Sequence, residues 1–501
     1  MKGETEMKAL VMGGGMAGLA TAINLLDLGL EVELVEADQI FGGRASSWKD
    51  EDGDMVDNAL HVFFPYYSNL LNFFNKMGIE KNIAWKQAEF YYMQEGGREA
   101  VLRFGKLPAP FHAAVAFANL LKSYTGVPKW KLLFAAMGMG SAVMYTDSKL
   151  EKLDDITFGM WAHRMSPKGA FLPMEPGING LTFTPSWMIS AKVMLNWFRK
   201  VAADPDSSRV GFANGGLGDI WVDTCLDYIH GKGGKTELKQ AVTAINLDGN
   251  KVKSVTINGK ERTADLYVSA MSPYSLRRVL PKEAFFSQYF RDLWFFHYAP
   301  SLSLQVWFDR KLTDVDVTFF SNNCIFNTYA DLSNVLPEIF TGGSMFEMVL
   351  SPADNIEGLP DEVIFDIAIK QIKSLFPVAQ EAEVRKYKVV RERQGVYRAW
   401  PGMEKHRPYQ RSPLDNLYLT GDYTKTHVSS GGMEAAIWNA NHCAEVIALD
   451  KLGKTASLNV DWKPKKGFTP ILKPATQAGA ALAGAMLARS ALKALKKSRG
   501  K

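Results

Sequence analysis

Residues 9–36 read, in order, as apolar strand, glycine turn, helix, strand and acid. That order constrains the fold more than any other feature of the chain. Ala9–Met12 has the character of a short buried strand. Gly13-Gly14-Gly15-Met16-Ala17-Gly18 follows with the spacing GxGxxG. A helix is predicted from about Ala17 to Leu28, with Leu19, Ile23 and Leu26 on its buried side. Gly29 stops it, and Glu31–Glu36 forms a second strand. This is a βαβ unit that binds a dinucleotide. Gly13 permits the tight turn, Gly15 lets backbone N–H groups approach a pyrophosphate, and Gly18 lets helix and strand pack closely. The helix N-terminus, at Met16 and Ala17, offers unpaired N–H groups and a positive dipole end to the phosphates. Glu36, ending the second strand, is placed for the adenosine ribose hydroxyls, and an acid there argues against a 2′-phosphate and hence against NADP.

The turn does not by itself choose between NAD and FAD; two further motifs do. Gly42-Gly43-Arg44 lies just beyond the ribose acid, where glycines allow close passage and an arginine can neutralise a pyrophosphate. Near the other end, Asn416–Thr420 reads as a strand closed by Gly421-Asp422. A loop then leads to a helix from about Met433 to Leu449. A carboxylate at a strand end accepts a hydrogen bond from a ribityl hydroxyl. The helix start at Gly432-Met433-Glu434 aims N–H groups at the flavin N1–C2=O edge, which becomes anionic on two-electron reduction. The expected cofactor is FAD.

With 501 residues the chain is long enough for two or three domains. Cys225, Cys324 and Cys443 form no CxxC and no even framework, which predicts a reducing compartment. The eight histidines show no metal-ligand spacing, so no metal is expected. No signal peptide is visible, and no apolar run reaches the length of a spanning helix. The net charge of +5 hides an asymmetry. From Lys451 onward twelve Lys/Arg face one acid, Asp461, so a basic tail follows a mildly acidic body. Such a tail points to a polyanionic surface, and no aromatic–basic motif accompanies it that would read nucleic acid.

Several segments extend the pattern. They are Ala45–Tyr67 (ASSWKDEDGDMVDNALHVFFPYY), Leu107–Phe111 (LPAPF), Tyr329–Ser333 (YADLS), Ser351–Asp354 (SPAD), Val396–Arg398 (VYR), Arg407-Pro408 and Asn416–Lys425 (NLYLTGDYTK). With them the chain resembles the phytoene and ζ-carotene desaturases of the plant and cyanobacterial type, within the FAD amine-oxidase superfamily. The Asp57-Asn58 pair before Ala59-Leu60-His61 is also similar to the superfamily's squalene-pathway dehydroxylases, and an amine oxidase is the other alternative. A non-catalytic binding protein on the same fold would leave Arg44, Asp422 and Glu434 without a task.

The resemblance implies an α/β fold: a discontinuous Rossmann-type FAD-binding domain (7–75, 205–275 and 390–450), an α+β substrate domain (76–204 and 276–389), and a basic amphipathic tail (451–501). It implies that the backbone at Val242 meets the adenine, that hydride passes from a saturated C–C bond to flavin N5, and that a membrane quinone reoxidises the flavin. It names no base; Glu434 and His61 are the candidates beside the flavin. The aromatic residues of the substrate domain, such as Trp294-Phe295-Phe296, are expected to be core for the most part.

A C40 hydrocarbon has negligible solubility in water, so the enzyme must take its polyene substrate from a bilayer. The expected location is peripheral, on the cytoplasmic side of a membrane bearing anionic lipid. Two segments could make the contact. Leu107–Leu121 carries no charge, and Leu487, Ala491, Leu492 and Leu495 oppose Arg489, Lys493, Lys496 and Lys497 on a predicted helix.

Overall fold

The structure, a computed structural model, describes residues 7–338, 340, 342–427 and 431–464. The predicted tail helix at 487–497 lies outside the described residues.

The first strand, β1 (Lys8–Met12), is buried on both faces, as a continuous apolar run demands. Ala9 and Val11 enter one core and Leu10 and Met12 another. Helix α1 (Met16–Asp27) returns the chain to β2 (Glu31–Val35), which pairs in parallel with β1, Met12 opposite Val35. Three further strands complete the sheet: β3 (Lys235–Glu237), β4 (Leu266–Ser269) and β5 (Leu417–Leu419). The order is β5-β4-β1-β2-β3, all parallel. Helix α1 and a C-terminal helix, α2 (Met433–Leu452), cover one face, and the buried amide of Asn24 donates to Asn441 Oδ1 across them at 2.9 Å. An antiparallel meander (Val242–Asp248, Lys251–Ile257 and Lys260–Arg262) covers the other.

A second sheet of seven strands stands beside the first, in the order Val384–Tyr397, Tyr298–Phe308, Met345–Leu350, Thr328–Asp331, Phe319–Phe320, Glu89–Gln94 and Arg98–Arg103. Its alternation is that of a two-faced sheet. Leu302, Leu304 and Val306 pack with Ile364, Ala368 and Ile372 of the helix Asp361–Leu375. The intervening Ser303 and Gln305 turn to the opposite side. The strand Val384–Tyr397 pairs antiparallel with Tyr298–Phe308 along its length, Val384 opposite Phe308 and Tyr397 opposite Tyr298. Backbone pairing to one neighbour holds it in the seven-stranded sheet, and its residues 394–396 line the cavity described below.

Lys386 fastens this strand to the hairpin after the GGR turn: its ammonium sits 2.5, 2.6 and 2.6 Å from Asp50, Asp52 and Asp54. Of the aromatic run Trp294-Phe295-Phe296, only Phe296 is core. Trp294 and Phe295 are 55% and 47% exposed, and the guanidinium of Arg277 stacks over the Trp294 ring. All three cysteines are free. No helix among the described residues is long and apolar enough to cross a membrane.

Candidate active site

The carboxyl ends of β1, β2, β4 and β5 open into a cavity of about 1030 Å³. Gly13, Gly15, Met16, Ala17, Glu36, Gly43, Arg44, Val242, Gly421, Asp422 and Met433 all line it, as does His61. Residues far apart in the chain meet here because a doubly covered parallel sheet presents its ligand crevice at that edge.

The glycines fit a dinucleotide. Gly13 has φ +111°, and a Cβ on it would lie 3.0 Å from the Ala270 carbonyl group. On Gly18 a Cβ would lie 1.8 Å from the Gly13 carbonyl oxygen, so Gly18 serves the packing of turn on helix and does not itself face the cavity. Gly15 has no atom within 3.8 Å of its Cβ position and leaves its backbone bare toward the cavity. Glu36 is held by its own turn: the N–H of Gly14 donates to Oε2 at 2.6 Å and the N–H of Asp38 to Oε1 at 2.9 Å. FAD, when bound here, supplies a two-electron hydride acceptor.

At the far end the two flavin motifs meet. Arg44 Nη2 lies 2.9 Å from Asp422 Oδ1, and Arg44 Nη1 donates to the Gly395 carbonyl at 2.8 Å. The other carboxylate oxygen of Asp422 accepts the Gly432 N–H, 3.3 Å away, at the start of α2. Arg407, fully buried, holds the strand-end loop from behind. It donates to the Asp422 carbonyl at 2.6 Å and the Thr424 carbonyl at 3.0 Å, and pairs with Glu404 at 3.1 Å. Sequence reasoning singled out Arg407-Pro408 without a role; this is its role. Likewise Arg398 pairs with Asp354, joining two motifs by one ion pair, and Asp331 caps the turn Leu332–Val335 through the Ser333 N–H at 3.1 Å.

Glu434 turns away from the cavity. Its Oε1 accepts the backbone N–H and side-chain amide of Asn69 at 3.1 and 2.9 Å, and its Oε2 accepts the Leu70 N–H at 2.8 Å. It caps the helix Ser68–Met77, whose first N–H groups have no intrahelical partner. Burial raises its pKa despite these bonds. One residue along, Met433 faces the cavity; a helix turns by about 100° per residue, so neighbours cannot both point there. His61 does face it. Its Nδ1 lies 2.6 Å from the Ala59 carbonyl, and burial, then the Arg44 charge, lowers its pKa, so it stands neutral. Tyr298, Gly395 and Val396 were not anticipated in the lining; they come from strands that carry no glycine-rich turn or strand-end acid.

A second cavity of about 500 Å³ adjoins the first. Leu60, Val62, Gly180, Leu181, Met194 and Trp197 line both. Among the described residues, none of those lining the second cavity is charged. Pro110, Phe111 and Phe117 of the Leu107–Leu121 segment form part of its wall.

Gly13 and Gly15 at a strand–helix turn, Glu36 at the end of the next strand and Asp422 bonded to a helix start line one cavity that fits FAD, the cofactor of an FAD-dependent oxidoreductase. The sequence profile of flavin containing amine oxidoreductases matches residues 16–448, and the chain belongs to that family. It is 31% identical over 460 residues to the 15-cis-phytoene desaturase of Synechococcus elongatus, covering 88% of this chain and 96% of that protein. It is 29% identical over 476 residues to the zeta-carotene desaturase of Synechocystis sp., covering 88% and 97%. An oxidoreductase structure from Methanosarcina mazei shares the fold, with a TM-score of 0.66 at 18% identity over 87% of this chain and 99% of that one.

Proposed function

We propose that the protein is an FAD-dependent desaturase of a carotenoid precursor, phytoene or ζ-carotene. The observation that carries this reading is the apolar chamber: it has no charged residue and shares six lining residues with the cofactor cavity. A hydrocarbon offers no group to hydrogen-bond, so its recognition must come from shape and desolvation. An amine substrate would leave an ammonium without a carboxylate partner in this lining. The phytoene and ζ-carotene desaturases among the relatives support the same substrate class.

FAD held by Gly13, Gly15, Arg44 and Asp422 would supply the hydride acceptor for a saturated C–C bond. This chain's residues position the chemistry around it. Leu60, Val62, Leu181 and Trp197 stand at the junction and exclude water from a bond brought to the cofactor. His61 and Tyr298 line the cofactor cavity together with the Arg44–Asp422 pair, and the Arg44 guanidinium lies over the Tyr298 ring. Glu434 does not act as the base in this reading, since it is occupied as a helix cap.

The domains divide in this reading as the two sheets do, with the helices between residues 111 and 203 completing the substrate domain. Substrate enters from a bilayer, a quinone of the same membrane reoxidises the flavin, and the protein binds the surface peripherally. Phe111, Met137 and Met144 support a membrane-facing entrance, being exposed apolar residues of the chamber lining; Leu107, Trp130 and Phe134 of the same two segments are exposed as well. The test is expression in cells that accumulate phytoene or ζ-carotene. Conversion of either to a more conjugated pigment is expected, and unchanged pigments in both backgrounds, with flavin-loaded protein present, would overturn the reading.

A further inference from the structure

The outer end of the apolar chamber is framed by Phe111, Met137 and Met144, which are 40%, 49% and 40% exposed; deeper lining residues such as Met139, Ile178 and Val210 are buried. Met137, Gly140 and Met144 lie on one face of the helix Lys129–Val143 and its C-cap, at the spacing of successive turns. That helix holds two glycines in its interior, where glycine is disfavoured. Gly138 has a packing reason: a Cβ there would lie 3.2 Å from the Met165 Cβ. Gly140 has none. It has ordinary helical backbone, it lines the chamber, and a Cβ on it would meet nothing within 4 Å. What its missing side chain preserves is open space between two methionines at the mouth.

We propose that Gly140 is a specificity-determining residue, whose bare backbone keeps the mouth wide enough for a long apolar chain to enter lengthwise. The inference rests on the reading that the chamber takes the substrate. A side chain at position 140 projects into the gap beside Met137 and Met144 and narrows it, and the larger the side chain the slower the entry. Helix geometry does not oppose substitution, since every non-proline residue is a better helix former than glycine. Gly140 does not line the cofactor cavity, so hydride transfer from a seated substrate should be unaffected.

The experiment uses the full-length, FAD-loaded protein and its Gly140→Ala, Gly140→Leu and Gly140→Trp variants. The probe is diphenylhexatriene, a rigid linear polyene whose fluorescence rises in an apolar site, and its association rate is read by stopped flow. The expected result is a graded slowing, slight for Ala and about tenfold or more for Trp, the scale on which a misfitting apolar group is rejected. Flavin content should stay unchanged, and the thermal midpoint should be no lower than wild type. Equal association rates in all four proteins would overturn the proposal. Anaerobic flavin reduction by phytoene and ζ-carotene is measured alongside. In the Trp variant the second-order rate should fall while the limiting rate at saturation holds. Wild-type protein that neither carotene reduces would overturn the substrate assignment, and the probe rates would still decide the role of Gly140.

Discussion

Arg44 Nη2 lies 2.9 Å from Asp422 Oδ1, so the motif near the N-terminus and the motif near the C-terminus are held together by an ion pair at the floor of the cofactor cavity. The guanidinium forks, one nitrogen to Asp422 and the other to the Gly395 carbonyl. Arg44→Lys keeps the charge but loses the fork, and Asp422 is left buried with one hydrogen bond fewer. Charge-assisted bonds of this kind contribute about 1.5–3 kcal/mol each. Both Arg44→Lys and Arg44→Ala should therefore be purified with substoichiometric FAD and bind added FAD at least about tenfold more weakly, since tenfold corresponds to about 1.4 kcal/mol. Fluorescence titration of the apoprotein measures this.

The protein should carry non-covalent FAD, with Glu36 facing the adenosine end. Glu36→Ala removes a carboxylate from the cavity wall and the acceptor for the Gly14 N–H, without disturbing the core. FAD affinity should fall while the circular dichroism spectrum is retained. Affinity equal to wild type would remove Glu36 from the site.

Glu434 should behave as a structural residue. Glu434→Ala leaves the Asn69 and Leu70 N–H groups buried and unpaired, at a cost of about 1–3 kcal/mol per group. The thermal midpoint should drop by several degrees, with the limiting rate of flavin reduction by substrate unchanged at a temperature where the variant is folded. A selective loss of that rate would make Glu434 catalytic.

Burial raises the pKa values of Asp57 and Glu347, Asp57 to about 7; the Asp219 charge adds to the rise of Asp57, and the Asp57 charge adds to that of Glu347. A carboxyl whose folded pKa is raised retains its proton when the unfolded chain has lost it. Stability associated with the pair is therefore full below the unfolded value near 4 and declines as pH rises through the window up to the raised folded value. Asp57→Asn keeps an acceptor for the Leu217 N–H, bonded at 2.9 Å, and removes one charge. Its thermal midpoint should fall less than that of wild type between pH 4 and 7, a range set by those values. Parallel curves for the two proteins would show that the pair does not titrate in that window.

Membrane binding should require the tail beyond the described residues, provided the cut is placed correctly. Val460 is strapped to the helix Ser68–Met77: its N–H donates to Asn69 Oδ1 at 2.8 Å, and its carbonyl accepts from Ser68 Oγ and Asn69 Nδ2. The same Asn69 binds Glu434, next to Met433 of the cofactor cavity. A chain ending at Leu458 should lose thermal stability and FAD, whereas one ending at Pro464 should keep both. Flotation with anionic liposomes at low and high salt then isolates the tail. If the Pro464-terminated chain binds as the full chain does, with the same salt dependence, the tail is no anchor and the Phe111–Met144 face carries the contact alone.

The flavin fold was legible because its determinants are local. A strand, three glycines, a helix and an acid within one short segment can be read in order, since each residue's task depends on its neighbours. Gly13, Gly15 and Gly18, Glu36, and the Gly421-Asp422 strand end follow from backbone geometry that the linear order already contains. What tertiary structure alone decided is everything that depends on which surfaces meet. Glu434 could be placed at a helix start but not on a face of it, and one residue of rotation made it a cap for another helix. Trp294 and Phe295 look like core by composition and lie at the surface, because burial depends on what packs above them. Arg407 and Asp354 could be singled out without a role until their partners were in place. The apolar chamber is the gap left where helices from residues 111 to 203 close over one face of the seven-stranded sheet; motif residues such as Val62 and Pro110 line it, but a volume bounded by distant segments has no local signature in a sequence.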